Sequence, residues 1–123
     1  MISVVLGIGS NCGDRELLVR RAIDWLKGVL IQSECSSIYE TPCAMKCGKP
    51  YMNAVMKGFF SGDGFQLEEM LKDKEREMGR DASCRERGDV PVDMDIVILD
   101  GEVVKEWDYR QKFFTIGYSE IAR

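Results

Sequence analysis

Val92-Asp93-Met94-Asp95-Ile96-Val97-Ile98-Leu99-Asp100-Gly101 holds the most apolar run of the chain and closes on an Asp-Gly turn signal. Beyond Asp95 every position to Leu99 is apolar, as in a central strand covered on both faces, while the start of the strand opens into a cleft. Upstream lies a charged loop from Asp81 to Pro91. Before it, Leu67, Met70, Leu71, Lys74 and Met78 fall on one helical side, opened by Gly62-Asp63-Gly64 and stopped by Gly79. Farther upstream, Ile31–Thr41 and Tyr51–Phe60 read as two strands, antiparallel to each other, separated by a loop with Pro42, Gly48 and Pro50. The chain begins with a β-branched run, Ile2–Ile8, that enters a Gly-rich corner. A helix over 15–29 follows, with Asp14 at its N-cap and Leu18, Ala22, Trp25 and Val29 on one face. The order β-α-β-β-α-β predicts an α+β, ferredoxin-like fold in which two helices cover one face of an antiparallel sheet. Residues 102–123 add a short strand at Val103-Val104 and a final helical turn near Ser119–Ala122.

At 123 residues, 45% hydrophobic and 31% charged, the chain is expected to form a single globular domain over 1–123. Its longest apolar run, Ile96–Leu99, is far short of the roughly 20 residues a membrane span needs, so neither a membrane nor a leader is expected. Seventeen Lys plus Arg against 21 Asp plus Glu leave a net charge of -4, which excludes a global basic field for nucleic acid. Any anion site must be local. Five cysteines at irregular spacing argue for a reducing, cytoplasmic setting, with Cys43 and Cys47 read as reduced loop thiols rather than zinc ligands. Histidine is absent, which removes Ser-His and Cys-His nucleophiles.

Asp93-Met94-Asp95 places two carboxylates on one face of a strand, about 6.6 Å apart along it. If buried they require a cation, and an all-oxygen donor set favours Mg²⁺ over zinc; at a solvated strand end they require nothing. Tyr51-Met52-Asn53 has the same spacing, offering a flat ring and a carboxamide to a purine- or pterin-like heterocycle, or else a core Tyr beside a solvated Asn. Arg76, Arg80, Arg85 and Arg87 bracket the loop before the Asp pair, where guanidinium forks can hold phosphates or simply be solvated. The corner Gly7-Ile8-Gly9-Ser10-Asn11-Cys12-Gly13-Asp14 has neither Rossmann nor P-loop spacing and reads as a tight strand-to-helix turn.

Taken together, Gly7-Ile8-Gly9-Ser10-Asn11-Cys12-Gly13-Asp14-Arg15, Ser36-Ser37-Ile38-Tyr39-Glu40-Thr41-Pro42, Tyr51-Met52-Asn53-Ala54-Val55, Gly79-Arg80 and Asp93-Met94-Asp95-Ile96 resemble, in order, the motifs of the 6-hydroxymethyl-7,8-dihydropterin pyrophosphokinases of folate biosynthesis. Phe113-Phe114 through Glu120-Ile121-Ala122 is similar to a more divergent closing segment. The resemblance implies a ferredoxin-like core and a Mg²⁺-dependent transfer of diphosphate from ATP to the pterin hydroxymethyl group, with release of AMP. It implies that Asp93 and Asp95 hold two Mg²⁺ ions and, with Arg80, form the catalytic set. ATP contacts are expected from Arg80, Arg87 and Arg110. Thr41 and Pro42 would line the pterin pocket, Asn53 would read the pterin edge, and Tyr51 and Phe113 would sandwich the ring. The expected partners are these small molecules, with no nucleic acid or membrane, and the expected state is a monomer or weak dimer. The chain departs from the pattern at Val90, which stands where the family has an Arg, at Gln111 beside Arg110, and in lacking the closing-segment His and the aromatic of the loop before the Asp pair. The alternatives are a binding-only pterin or nucleotide-binding relative and a ferredoxin-like interaction domain.

Overall fold

Strand β1 (Ile2–Ser10) runs through the middle of a six-stranded antiparallel sheet because its apolar residues are covered from both sides. A computed structural model describes residues 1–45 and 48–122. After β1 come α1 (Arg15–Val29), β2 (Ile31–Cys35), β3 (Tyr39–Thr41), β4 (Tyr51–Phe60), α2 (Gly64–Glu77), α3 (Ala82–Arg87), β5 (Asp93–Leu99), β6 (Glu102–Val103), α4 (Glu106–Tyr109) and α5 (Lys112–Ile121). The sheet order is β2-β4-β1-β5-β6, with β3 also paired to β4. Setting aside the short β3 and β6, this is the α+β, ferredoxin-like arrangement that the element order predicts.

One sheet face carries Val4, Leu6, Ile8, Ala54, Met56, Met94 and Ile96 and packs on Val19, Ala22, Ile23 and Leu26 of α1 and Leu67 and Leu71 of α2. The buried stripe of α1 is thus centred on Val19 and Ile23, with the expected Leu18, Trp25 and Val29 at its flanks. Both long helices start as the sequence predicts. Asp14 accepts the Leu17 N–H, and Asp63 and Gln66 form a reciprocal capping box.

The short strand expected at Val103-Val104 lies at Glu102–Val103 and is followed by the unexpected α4, and three longer stretches also differ from the sequence reading. The stretch 31–41 is two strands, since Ser36 leaves the ladder and its Oγ accepts the Val55 N–H at 2.8 Å. The charged loop contains α3, capped by Asp81 and ended by Gly88 in the left-handed conformation (φ +70°). The closing turn is a full helix, α5, and it covers the second sheet face, where Phe114 and Ile121 pack on Val55, Val97 and Ile98. Gly117 permits this approach, because a Cβ there would lie 2.7 Å from Tyr39 Oη and from Val55 Cγ2. Among the described residues, no helix is long and apolar enough to cross a membrane.

Candidate functional site

The floor of the site is made by two glycines of β1. Gly9 pairs with Asn53 on one side and Asp93 on the other, and Gly7 pairs with Val55 and Asp95. Paired residues share a sheet face, so the two glycines leave a gap in the side-chain layer between β4 and β5. A methyl group at Gly9 would stand 3.3 Å from Tyr51 Cδ2 and 3.5 Å from Asn53 Oδ1, which shows how closely the walls approach the backbone. Over this floor lies a cavity of about 170 Å³ lined by Thr41, Pro42, Tyr51, Asn53, Asp93, Asp95 and Phe113, with Cys43, Met45, Trp107 and Asp108 completing its rim. Seven of the residues singled out in the sequence therefore meet in one place.

Asn53 is buried, and its Nδ2 donates to Thr41 Oγ1 at 2.8 Å and to the carbonyls of Tyr51 (3.2 Å) and Tyr39 (3.3 Å). The amide nitrogen is saturated by the protein. Its Oδ1 has no hydrogen bond among the described residues, and no buried side-chain polar atom there lacks a partner, so Oδ1 opens to the cavity as an acceptor. Phe113 is placed through its backbone: Tyr39 Oη donates to the Phe113 carbonyl at 2.6 Å and accepts the Gly117 N–H at 3.0 Å. Burial pushes the Tyr39 phenol up to about 12, which keeps it a donor. Trp107 packs on Phe113 with ring centroids 5.9 Å apart, extending the aromatic wall.

Asp93 and Asp95 project from β5 on either side of Met94, whose side chain is fully buried in the opposite layer. Arg80 Nη1 donates to Asp93 Oδ1 at 2.9 Å and to Glu75 Oε1 at 3.1 Å. Lys105 Nζ donates to Asp95 Oδ1 at 3.0 Å, and Lys72 stands 3.7 Å from the same oxygen. Burial, with the hydrogen bond and charge of Asp95, pushes the Asp93 carboxyl up to about 8. Burial acts to raise Asp95 too, but its hydrogen bonds with Asp93 and Lys105 and the lysine charges outweigh that, and it lies below the usual carboxylate range. The pair thus shares a proton at neutral pH because two adjacent carboxylates cannot both be charged at no cost.

Behind the pair opens a larger cleft of about 770 Å³, lined by Tyr51, Lys72, Glu75, Arg76, Arg80, Arg85 and Val90 among others. Arg87 and Arg110, expected at the phosphates, are brought to neither cavity. Arg87 Nε donates to Asp89 Oδ2 at 2.8 Å, and Arg110 pairs with Glu106 at 2.9 Å on the surface. The motif residues Asn11 and Arg15 are structural. Asn11 exchanges backbone and side-chain bonds with Val90, fixing the approach to β5, while Arg15 ties Glu40 and the Pro50 carbonyl across the β3–β4 connection. Cys43 is disulfide-bonded, against the expectation of a reduced thiol, and Cys47 lies outside the described residues.

Four residues escaped the sequence reading: Glu75, Lys72, Lys105 and Trp107. For Glu75 a signal existed, because it continues the buried i, i+4, i+8 stripe of Leu67 and Leu71. Nothing local distinguishes the lysines or Trp107 from other polar-loop and surface residues.

The family described as 7,8-dihydro-6-hydroxymethylpterin-pyrophosphokinase matches residues 5–123. The chain is 32% identical over 109 residues to the 2-amino-4-hydroxy-6-hydroxymethyldihydropteridine pyrophosphokinase of Aquifex aeolicus, covering 85% of this chain and 66% of that protein. It is 31% identical over 103 residues to the protein of the same name from Bacillus subtilis, covering 81% and 61%. With the Folate synthesis bifunctional protein of Chlamydia trachomatis it shares 35% over 125 residues, covering 96% of this chain and 27% of that one. The chain thus spans 66% or less of the length of these curated relatives. Since the match runs across nearly all of its residues and the fold is the ferredoxin-like α+β arrangement that the resemblance implied, the chain belongs to the 7,8-dihydro-6-hydroxymethylpterin-pyrophosphokinase family.

Proposed function

We propose that this chain transfers the terminal diphosphate of ATP to the hydroxymethyl group of 6-hydroxymethyl-7,8-dihydropterin, releasing AMP. The observation that carries the reading is that one cavity holds both a ring-and-amide recess, formed by Tyr51, Asn53 and Phe113, and the Asp93/Asp95 pair. In the reaction the hydroxymethyl oxygen attacks the β-phosphorus and releases its proton to solvent. The bond from that phosphorus to the α,β-bridging oxygen breaks, and AMP leaves with the oxygen.

The placement of each residue supports a part for it. Tyr51 and Phe113 take the faces of the pterin ring, while Thr41 holds the Asn53 amide so that Oδ1 accepts from a ligand N–H. Pro42 closes the recess at the surface. Arg80 lies between this cavity and the larger cleft, where a fixed guanidinium meets phosphate oxygens.

The carboxylate pair fits Mg²⁺. It offers hard oxygen donors, carries a proton that a cation would displace, and lies in no cluster of three or more potential ligands among the described residues, so phosphate and water oxygens must complete the shell. Asp93 and Asp95 would hold the ions, two by the resemblance, whose charge would orient the phosphates and offset the charge developed in the transfer. Incubation with ATP, Mg²⁺ and the hydroxymethyl-dihydropterin is expected to yield AMP only when the pterin is present. Calorimetric pterin binding without AMP formation would overturn the transferase reading in favour of a binding-only protein.

A further inference from the structure

Three cations surround the carboxylate pair, and they are held differently. Arg80 is shared between Asp93 and Glu75. Lys72 has Glu75 at 3.3 Å and Glu68 at 3.7 Å in addition to Asp95. Lys105 has one side-chain hydrogen-bond partner among the described residues, Asp95 at 3.0 Å, with Asp108 and Glu68 acting on it through charge alone, and its side chain is 42% exposed. Its backbone is fixed: its N–H reaches the Val97 carbonyl at 3.4 Å, and its own carbonyl accepts the Tyr109 N–H at 3.0 Å. The side chain is therefore a tethered ammonium on a flexible stem, anchored beside the α4 residues Trp107 and Asp108 that line the cavity.

We propose that Lys105 is an exchangeable counterion: it neutralises Asp95 in the unliganded chain, and when a divalent cation takes that carboxylate it turns to the phosphates of the nucleotide. The inference rests on the metal reading above. An ammonium and a metal ion cannot both use the same carboxylate charge to full effect, so binding of one weakens the other. Lys72 stays held by Glu68 and Glu75 after such an exchange, and Arg80 by Glu75, whereas Lys105 loses its partner. An anion brought to Asp95 through a shared cation then arrives where the Lys105 ammonium already reaches. Lys105 thereby becomes a phosphate-binding residue recruited from a loop outside the motifs that carry the family resemblance.

The test uses the full chain without pterin, so that no turnover occurs, and compares parent, Lys105→Met, Lys105→Arg and Asp95→Asn. Mn²⁺ alone, followed by electron paramagnetic resonance, should bind about two- to fivefold more tightly to Lys105→Met, because an ion pair competing for Asp95 is gone. MgATP, followed by calorimetry, should bind about tenfold more weakly to Lys105→Met and near parent affinity to Lys105→Arg, since a charge-assisted contact is lost and then restored. Unchanged Mn²⁺ affinity or unchanged MgATP affinity in Lys105→Met overturns the exchange, provided that Asp95→Asn has lost Mn²⁺. If Asp95→Asn binds Mn²⁺ as the parent does, the metal reading fails and the exchange with it.

Discussion

Glu75 Oε2 accepts the backbone N–H of Met94 at 2.8 Å, so a carboxylate only 3% exposed on α2 fastens the one residue that separates Asp93 from Asp95. Its other oxygen accepts from Arg80, which in turn reaches Asp93. Glu75 thus sets both the strand that carries the acidic pair and the guanidinium beside it. Glu75→Gln keeps the shape but presents an amide where two acceptors stood, leaving one buried donor poorly matched. The expected cost is about 1–3 kcal/mol, read as a lower urea midpoint at unchanged slope. A midpoint equal to the parent's would show that the buried carboxylate is not holding α2 to β5.

The carboxylate pair gives stability a pH dependence of predictable sign. Asp93 is raised from 3.8 to about 8 by burial and by Asp95, so the folded chain binds that proton more tightly than the unfolded one. The resulting stabilisation is complete below about pH 4 and is lost as pH climbs toward 8. Asp95, being lowered, acts only below the ordinary carboxylate value, where its stabilisation fades with acid. In metal-free protein Asp93→Asn should therefore melt higher than the parent near pH 8, with a flatter profile between pH 4 and 8. Parallel melting curves for the two proteins across that range would contradict the shared proton.

What the sequence made legible was whatever depends on spacing within a few residues. Asp93-x-Asp95 and Tyr51-x-Asn53 were readable as site pairs because alternate residues of a strand share a face, and the sheet then brought both pairs to Gly7 and Gly9. Illegible features were those fixed by distant partners. Ser36 breaks the 31–41 strand because its hydroxyl meets Val55, and α5 was hidden by Gly117, a poor helix former retained because Tyr39 and Val55 leave no room for a Cβ. As basic residues flanking one loop, Arg80 and Arg87 look alike, and only the Gly79-Arg80 resemblance set Arg80 apart. Asp89, two residues from Arg87, takes it to the surface, while Glu75 and Asp93 draw Arg80 inward.

Asn53 makes a prediction about ligand selectivity. With Nδ2 committed to Thr41, Tyr51 and Tyr39, only Oδ1 serves the cavity, so Asn53→Ala removes one acceptor from the pterin edge. Pterin affinity should fall by about 1–3 kcal/mol while MgATP affinity stays near the parent's. Gly9→Ala should act in the same direction, because its methyl group would push against Tyr51 at 3.3 Å and Asn53 at 3.5 Å. Equal losses for both ligands, measured by calorimetry, would mean that Asn53 supports the fold rather than a pterin-specific recess.

The arginines supply the sharpest contrast, because ATP contacts were expected from both Arg80 and Arg87. Arg80 is partly buried, bonded to Asp93 and Glu75, and faces the larger cleft; Arg87 is more than half exposed and spends its guanidinium on Asp89. A fixed cation acts on developing phosphate charge only where water is largely excluded, and there its removal costs on the order of a hundredfold in turnover. Arg80→Ala should thus lower AMP formation by about that factor, with the loss falling on kcat more than on the KM for ATP. Arg87→Ala should leave it within about twofold, since an exposed ion pair contributes little. A large loss in Arg87→Ala would mean that the α3 segment swings inward when nucleotide binds, breaking the Arg87–Asp89 pair. In that event Asp89→Asn should increase turnover by freeing the guanidinium, which distinguishes such a movement from simple damage to the loop.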